Sequence, residues 1–295
     1  MRSRRLEEPC SAMLTTTAME ALLAHEPWIR GICSAAVLVS VAVWEAVHPA
    51  RQLLFSRWRR WPSNLAVMAI GAFAVRALFP IAAVSLAAVC GERGWGLLNV
   101  LELPGWASFL IGFVVLDLAI YLQHVIFHAV PVLWRLHRMH HIDLDFDVTT
   151  GGRFHPFEIL LSMLLKMAVV LAIGPSAATV LIFEVVLNAT SMFNHANSEL
   201  PRNLDRALRW LVVTPNMHRI HHSAEPTETN SNFGFNLPWW DRLFGTYRRA
   251  ASAETAAMKI GIDEFREPKE LTLGVMLLRP FAGSVGKYPI GRRGS

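Results

Sequence analysis

The chain has 295 residues, of which 53% are hydrophobic and only 17% are charged, and its mean hydropathy is +0.34. Soluble domains carry about a quarter charged residues, so this composition excludes a disordered chain and disfavours an ordinary soluble enzyme. The net charge is +5. Because Arg and Lys flank apolar runs, this charge indicates contact with anionic lipid headgroups, and we expect no nucleic acid partner.

Five apolar stretches follow one another in the sequence, each close to the length that a transmembrane helix needs. They cover residues 31–47, 64–90, 107–128, 157–173 and 177–192. Arg76 and Pro80 interrupt the second stretch, which is either one crossing or a bent re-entrant pair. We favour five crossings. Arg76 and Lys166 lie inside predicted spans and should face protein or extend towards the interface.

The spans suggest three regions of the chain. Residues 1–106 form an N-terminal segment with the first spans, residues 107–250 form a histidine-motif catalytic domain, and residues 251–295 form a polar C-terminal tail. A basic cluster at residues 51–60 marks a cytoplasmic membrane edge. With this cluster in the cytoplasm, five crossings bring every histidine motif to the same side of the membrane.

Histidine is unusually abundant for so apolar a chain. Of the twelve histidines, ten lie between residues 124 and 222, in one HxxxH group, two HxxHH groups and two single positions. On a helix, residues spaced i, i+3 and i+4 share one face, so each group can present its imidazoles together. These ten are His124 and His128; His137, His140 and His141; His218, His221 and His222; and the single His155 and His195.

These imidazoles outnumber the ligands of one metal ion. Four imidazoles fill a tetrahedral zinc ion, so two ions are the natural count for eight to ten histidines. Imidazole suits iron, copper, nickel or zinc, and the three cysteines have no CxxC spacing that would indicate a thiolate site. Asp117 and Tyr121 precede His124 by seven and three residues, on the same helical face. They can orient ligand rings.

The order and spacing of these motifs resemble the fatty acid hydroxylase/sterol desaturase superfamily of integral membrane proteins. The resemblance runs from Asp117 to Tyr247. It rests on D-x3-Y-x2-H-x3-H from Asp117, LWRLHxxHH from Leu133, DVTT from Asp147, RFHPxE from Arg153, NH at 194–195, TPxMHxxHH from Thr214, NFG from Asn232 and WDxLFGTY from Trp240. It implies an all-α integral membrane protein with about four to five transmembrane helices and a cytoplasmic, histidine-rich helical cap.

The same resemblance implies a non-haem di-iron oxidoreductase that uses O2 and external electrons to hydroxylate or desaturate a lipid. Two iron ions would be the cofactors, with zinc as a possible substitute. The implied metal ligands are His124, His128, His137, His140, His141, His195, His218, His221 and His222, with His155 as a further candidate. We assign catalytic roles to all of these histidines except His155 and His195, which leaves eight.

The partners expected from this resemblance are a lipid in the bilayer and a separate electron donor of the ferredoxin or cytochrome type. The lipid could be a fatty acyl chain, a sterol-like ring or an ether lipid. We expect Asp147, Glu158 and Asp241 to support histidines, although Glu158 could instead form an ion pair with Arg153. Trp239 and Trp240 are expected at the membrane interface.

Two other functions are compatible with a histidine-rich membrane protein. A zinc-dependent membrane hydrolase would need a carboxylate within a metal motif, as in HExxH, and none lies between the motif histidines. A metal-binding or transport protein would place ligands near the bilayer midplane, often in two related halves. No internal repeat is visible in the sequence.

Overall fold

The computed structural model describes residues 8–79 and 81–290, and this part of the chain is helical without a β-strand. This confirms the all-α prediction. The helices are α1 Glu8–Val47, α2 Arg57–Leu78, α3 Ala83–Arg93, α4 Leu97–Val100, α5 Gly105–Ala129, α6 Pro131–His141, α7 Pro156–Ile173, α8 Ala177–Asn194, α9 Arg202–Leu208, α10 Pro215–His221, α11 Pro226–Thr229, α12 Trp239–Leu243 and α13 Leu273–Leu278. Short 3-10 helices occupy Val148–Gly152, Pro268–Leu271 and Arg279–Phe281.

Five segments are long and apolar enough to cross a membrane, as the sequence predicted. They are Leu23–Val47, Arg57–Val100, Gly105–Ala129, Pro156–Ile173 and Ala177–Asn194. Large apolar side chains such as Phe73, Leu110 and Leu164 are exposed on them. Exposed apolar surface of this kind is expected where helices contact lipid tails, so the chain is a multi-pass integral membrane protein.

The second apolar stretch is divided between α2 and α3. Gly71 packs on Ile159 near the start of α7, whereas Gly96 lies against Gly174, just after the end of α7. The chain therefore advances along α7 from one end to the other, which is the path of a single broken crossing. Phe79 leaves helical geometry, with φ −119° and ψ 84°, as expected for a residue that precedes a proline. Pro80 itself lies outside the described residues.

The ends of the long helices gather around a compact cap. Glu45, near the end of α1, accepts hydrogen bonds from the backbone N–H groups of Val148 and Asn197, at 2.7 and 2.8 Å. Val148 opens a 3-10 turn between α6 and α7, and Asn197 follows α8. These bonds fasten the end of α1 beside the histidine motifs, which lie at the adjoining ends of α5, α7 and α8 and in α6 and α10.

The segment after residue 250, predicted as a polar tail, packs onto this cap as far as it is described. The buried ring of Tyr288 stacks on Trp134 at 5.8 Å between centroids. The Trp134 Nε1–H donates to the carbonyl of Val285, and Arg138 donates to the carbonyl of Arg279, at 3.2 and 2.8 Å. The ends of the first and last predicted regions, residues 1–7 and 291–295, lie outside the described residues.

Candidate metal centre

Nine of the ten motif histidines form two buried groups. Within each group, one ring nitrogen from every member lies within 4.8 Å of the others. The first group consists of His124, His128, His137, His141 and His221, and the second group consists of His140, His195, His218 and His222. All nine side chains are buried. Each group offers at least the four nitrogens that fill a tetrahedral site.

Each HxxHH motif contributes to both groups. In α6, the i, i+4 pair His137 and His141 belongs to the first group, and His140 belongs to the second. At α10 the assignment is reversed, because His218 and His222 belong to the second group and His221 to the first. On a helix, positions i+3 and i+4 point about 100° apart, so one motif can serve two adjacent sites.

The two groups are direct neighbours. The ring centroids of His141 and His222, which belong to different groups, are 4.6 Å apart, and those of His140 and His137 are 5.3 Å apart. His195, at the end of α8, closes the second group. Two ions bound here would therefore lie side by side in one shared chamber.

The nitrogen separations fit coordination of an ion. The Nε2 atoms of His124 and His137 are 3.0 Å apart, and those of His195 and His222 are 3.1 Å apart. Two nitrogens bound at about 2.0–2.1 Å to one ion are separated by roughly 2.9–3.4 Å at angles between 90° and tetrahedral. Moreover, the Nε2 atoms of His128, His218 and His221 are buried and have no hydrogen-bond partner among the described residues.

Burial keeps the rings in the form that binds metals. It lowers the pKa of His137 to about 3 and the pKa of His195 to about 4, because a charged ring is poorly solvated inside the protein. Burial also lowers the pKa of His218 and His222 well below the ordinary value. Neutral imidazole has a free lone pair, so these histidines need not release a proton before they bind an ion near neutral pH.

Hydrogen bonds at Nδ1 orient five of the rings. When Nδ1–H donates to an oxygen, Nε2 retains its lone pair and points to the opposite side of the ring. The pairs are His124 with the Phe233 carbonyl at 2.7 Å, His128 with Asn230 Oδ1 at 3.1 Å, His137 with Glu158 Oε1 at 2.6 Å, His195 with the Ser191 carbonyl at 2.6 Å, and His221 with the Ser231 carbonyl at 2.8 Å.

The predicted supporting carboxylates occupy different places. Glu158 contacts His137 directly. Asp241 accepts hydrogen bonds from the N–H groups of Phe233 and Gly234, at 2.8 and 2.9 Å, and so fixes the segment whose carbonyl orients His124. Burial raises the pKa of Asp241 to about 6. Asp241 therefore influences the histidines only indirectly, through this backbone segment.

Asp147 and Asp143 form an ionic network with Arg60, which sequence analysis did not single out. The Arg60 guanidinium contacts Asp143 at 2.8 Å and Asp147 at 2.5 Å, and all three side chains are buried. Arg60 holds the pKa of Asp143 well below its usual range despite burial. Asp143 follows His141 by two residues, so this network fixes the end of α6 against α2.

Two expected contacts with the histidines are not formed. Asp117 accepts from the Trp240 Nε1–H at 2.7 Å, and the Tyr121 hydroxyl bonds to Thr246 Oγ1 at 2.8 Å. These bonds tie α5 to α12 and its following turn. Trp240 is consequently buried, whereas Trp239 is 45% exposed.

Arg153 does not pair with Glu158, because its guanidinium donates to the Met139 carbonyl and to Asn64 Oδ1, both at 3.0 Å. His155, the tenth motif histidine, lies in neither group. Its Nδ1 accepts from the Phe157 N–H at 3.2 Å, and its Nε2 is 3.2 Å from the Leu277 carbonyl. The ring therefore caps the start of α7.

A cavity of about 790 Å³ leads from the first group into the membrane-spanning bundle. His124, His137 and Glu158 line one part of it. Apolar side chains such as Ile120 and Met163 line the wall between α5 and α7. The volume is in the range of pockets that hold small organic ligands. The cavity therefore has room for an apolar molecule beside the histidines of the first group.

Comparison with known families identifies the central part of the chain. Residues 109–246 match the family model described as fatty acid hydroxylase, and this range holds all ten motif histidines. This segment is a fatty acid hydroxylase domain. This match agrees with the resemblance to the fatty acid hydroxylase/sterol desaturase superfamily noted from the motifs.

Curated relatives support this assignment of the hydroxylase domain. The chain is 31% identical to alkylglycerol monooxygenase of Xenopus tropicalis, over 52% of this chain and 34% of the relative. It is 31% identical to ornithine lipid hydroxylase OlsE of Rhizobium tropici, over 46% of this chain and 40% of the relative. It is 27% identical to cholesterol 25-hydroxylase of Rattus norvegicus, over 48% of this chain and 47% of the relative. The matches thus span a third to a half of these relatives. No solved structure matches the chain significantly.

Proposed function

We propose that the protein is a membrane-bound, non-haem di-iron oxygenase that oxidises a lipid. The observation that carries this proposal is the pair of adjacent, buried histidine groups at the end of a cavity within the spans. The three relatives named above are a monooxygenase and two hydroxylases of lipids, which favours hydroxylation over desaturation. We propose residues 107–250 as the catalytic domain, with residues 1–106 supplying much of the cavity wall.

The nine grouped histidines would hold two ions, and His155 is not included in this ligand set. We propose iron as the metal because O2-dependent oxidation of a C–H bond needs a redox-active ion, which zinc is not. When bound, the iron pair would supply the O2-activating chemistry by which O2, two electrons and two protons convert a C–H bond into an alcohol and water. Zinc could occupy the same nitrogens without supporting this reaction.

The protein's own residues would position the reactants. The hydrogen bonds at Nδ1 hold the rings in place, and the apolar cavity would bring one carbon of the lipid beside the first group and exclude water. A lipid would enter laterally from the bilayer. Fatty acyl chains, sterol-like rings and ether lipids all have the apolar surface that this wall requires.

We further propose that the cap faces the cytoplasm. The basic cluster at residues 51–60 follows α1 and includes the first turn of α2, at the cap end of the bundle, and cytoplasmic membrane edges are enriched in Arg and Lys. Electrons would then come from a cytoplasmic ferredoxin- or cytochrome-type protein. A zinc hydrolase is disfavoured because Glu158 contacts Nδ1 of His137, on the side of the ring that faces away from the grouped nitrogens.

Anaerobic purification, metal analysis and Mössbauer spectroscopy test the proposal. We expect about two irons per chain, a coupled diferric spectrum after oxidation, and O2 uptake when reductant and membrane lipid are supplied. Lipid extracts of cells with and without the protein should differ by a hydroxylated species. Stoichiometric zinc that iron cannot replace, together with no O2 consumption, would contradict the proposal.

A further inference from the structure

Charged side chains lie deep inside the membrane-spanning part of the cavity. Glu184, the eighth of 18 residues in α8, contacts both Lys166 of α7 and Arg30 of α1. Arg30 also pairs with Glu26, at 3.0 Å. All four side chains line the cavity. Ionisable groups in the middle of spans are costly, and where they occur they commonly mark a functional site.

Arg76 of α2 adds a positive charge to this part of the cavity. Its side chain lines the cavity and is exposed. Among the side chains that the structure describes, no carboxylate lies within 4.0 Å of its guanidinium. At this end of the cavity the lining has three cations, Arg30, Arg76 and Lys166, and two carboxylates, Glu26 and Glu184, whereas the third lining carboxylate, Glu158, lies at the histidine end. One positive charge at this end is therefore uncompensated. An anionic ligand would neutralise it.

The charged end of the cavity lies at a defined distance from the histidines. Along α7, eight residues separate Glu158, which contacts His137, from Lys166. A helix rises about 1.5 Å per residue, so these positions are about 12 Å apart. An extended hydrocarbon chain covers that distance with roughly ten carbon–carbon bonds. Between them the wall includes the apolar Ile159 and Met163.

We propose that Arg30, Arg76 and Lys166 bind the anionic group of the lipid substrate, a carboxylate or a phosphate, while its hydrocarbon chain extends to His124 and His137. This inference rests on the proposed function and adds the class of substrate, an acidic lipid. It also gives a reason for the site of oxidation, since the anchored group sets which carbon reaches the centre. Glu184 holds Lys166 and Arg30 in place.

A purely structural role is the competing explanation. The chain of ion pairs from Lys166 through Glu184 to Arg30 would join α7, α8 and α1 even without a ligand. That role does not account for Arg76, which joins no ion pair among the described side chains and yet lines the same cavity. Arg76 is therefore the residue on which the two explanations differ.

Lipid binding to the metal-free full-length protein in neutral detergent tests the inference without any turnover. Two matched pairs serve as probes: hexadecanoate with its methyl ester, and phosphatidic acid with the corresponding diacylglycerol. We expect at least one acidic member to bind about tenfold or more tightly than its neutral partner. The pair that shows the selectivity distinguishes a carboxylate from a phosphate. Equal binding of acidic and neutral lipids in both pairs would overturn the inference.

Arg76→Gln should remove that selectivity and leave binding of the neutral lipids unchanged. Arg93→Gln is the matched control, because Arg93 is also exposed, ends α3 and does not line the cavity. Iron uptake equal to that of wild type would show that both variants fold. Selectivity retained in Arg76→Gln, or lost equally in Arg93→Gln, would overturn the inference. Selective binding without any lipid oxidation would support this site and contradict the proposed oxygenase activity.

Discussion

Glu158 offers the most direct test of the proposed metal centre. Its carboxylate accepts a hydrogen bond from Nδ1–H of His137 at 2.6 Å, and both side chains are buried. Glu158→Gln keeps the size and the hydrogen-bond acceptor but removes the negative charge. Loss of such a partner behind a histidine ligand typically weakens metal binding about 10- to 100-fold. That range corresponds to about 1.4–2.7 kcal/mol.

The assay is an anaerobic titration of the metal-free protein with ferrous iron against a competing chelator. We expect the iron affinity of the first group to decrease by about 10- to 100-fold, because His137 becomes a less basic ligand. The iron affinity of the second group should change less. Glu225→Gln is the control, since Glu225 is exposed in the same cap and contacts no grouped histidine. An unchanged iron affinity in Glu158→Gln, or an equal loss in Glu225→Gln, would refute the reasoning.

Three further predictions concern the histidine groups, the cap and the topology. Alanine at His218 or at His221 should lower the bound iron from two ions to about one per chain, whereas His155→Ala should retain both ions. Metal analysis would refute the two-group assignment if His155→Ala also lost an ion. Arg60→Met should destabilise the protein by about 3–5 kcal/mol, because two buried carboxylates lose their partner. Thermal unfolding in detergent should show no loss of stability for Arg59→Met, since Arg59 is exposed. Equal melting temperatures of the two variants would contradict this prediction. Reporters fused after residues 60 and 100 should lie on opposite sides of the membrane, and signals from the same side would exclude a single crossing by α2 and α3.

The spans and the histidine-bearing helices could be predicted from local patterns. Apolar runs of sufficient length indicate spans, and the break between α2 and α3 coincides with the predicted interruption at Pro80. The spacing of HxxHH also indicates helical presentation of the rings. Positions i+3 and i+4 also point about 100° apart, so the same spacing favours ligands for two sites instead of one.

Contacts between distant parts of the chain were not predictable in this way. Arg60 and Asp143 are separated by 83 residues, and no local pattern relates them. Likewise, the burial of Tyr288 against Trp134 depends on the path of the last described segment over the cap. His155 illustrates the opposite problem: it lies within a family motif, but Pro156 follows it, and a side chain before a proline at the first helical position is well placed to cap a helix.

The charge of the proposed centre explains why Glu158 should matter more than its single hydrogen bond suggests. All nine grouped ligands are neutral imidazoles, so two divalent ions would bring four positive charges into a buried chamber. Among the described residues, Glu158 is the one carboxylate in hydrogen-bond contact with a grouped histidine. Asp143 and Asp147 lie nearby, but Arg60 contacts both carboxylates and Arg153 lies 4.0 Å from Asp143, so their two charges are already offset. Because charges interact strongly where water is excluded, the negative charge of Glu158 should stabilise the bound ions through the ring of His137. A neutral glutamine at this position would leave the hydrogen bond largely intact and remove that electrostatic contribution, which is why the isosteric variant is more informative than alanine.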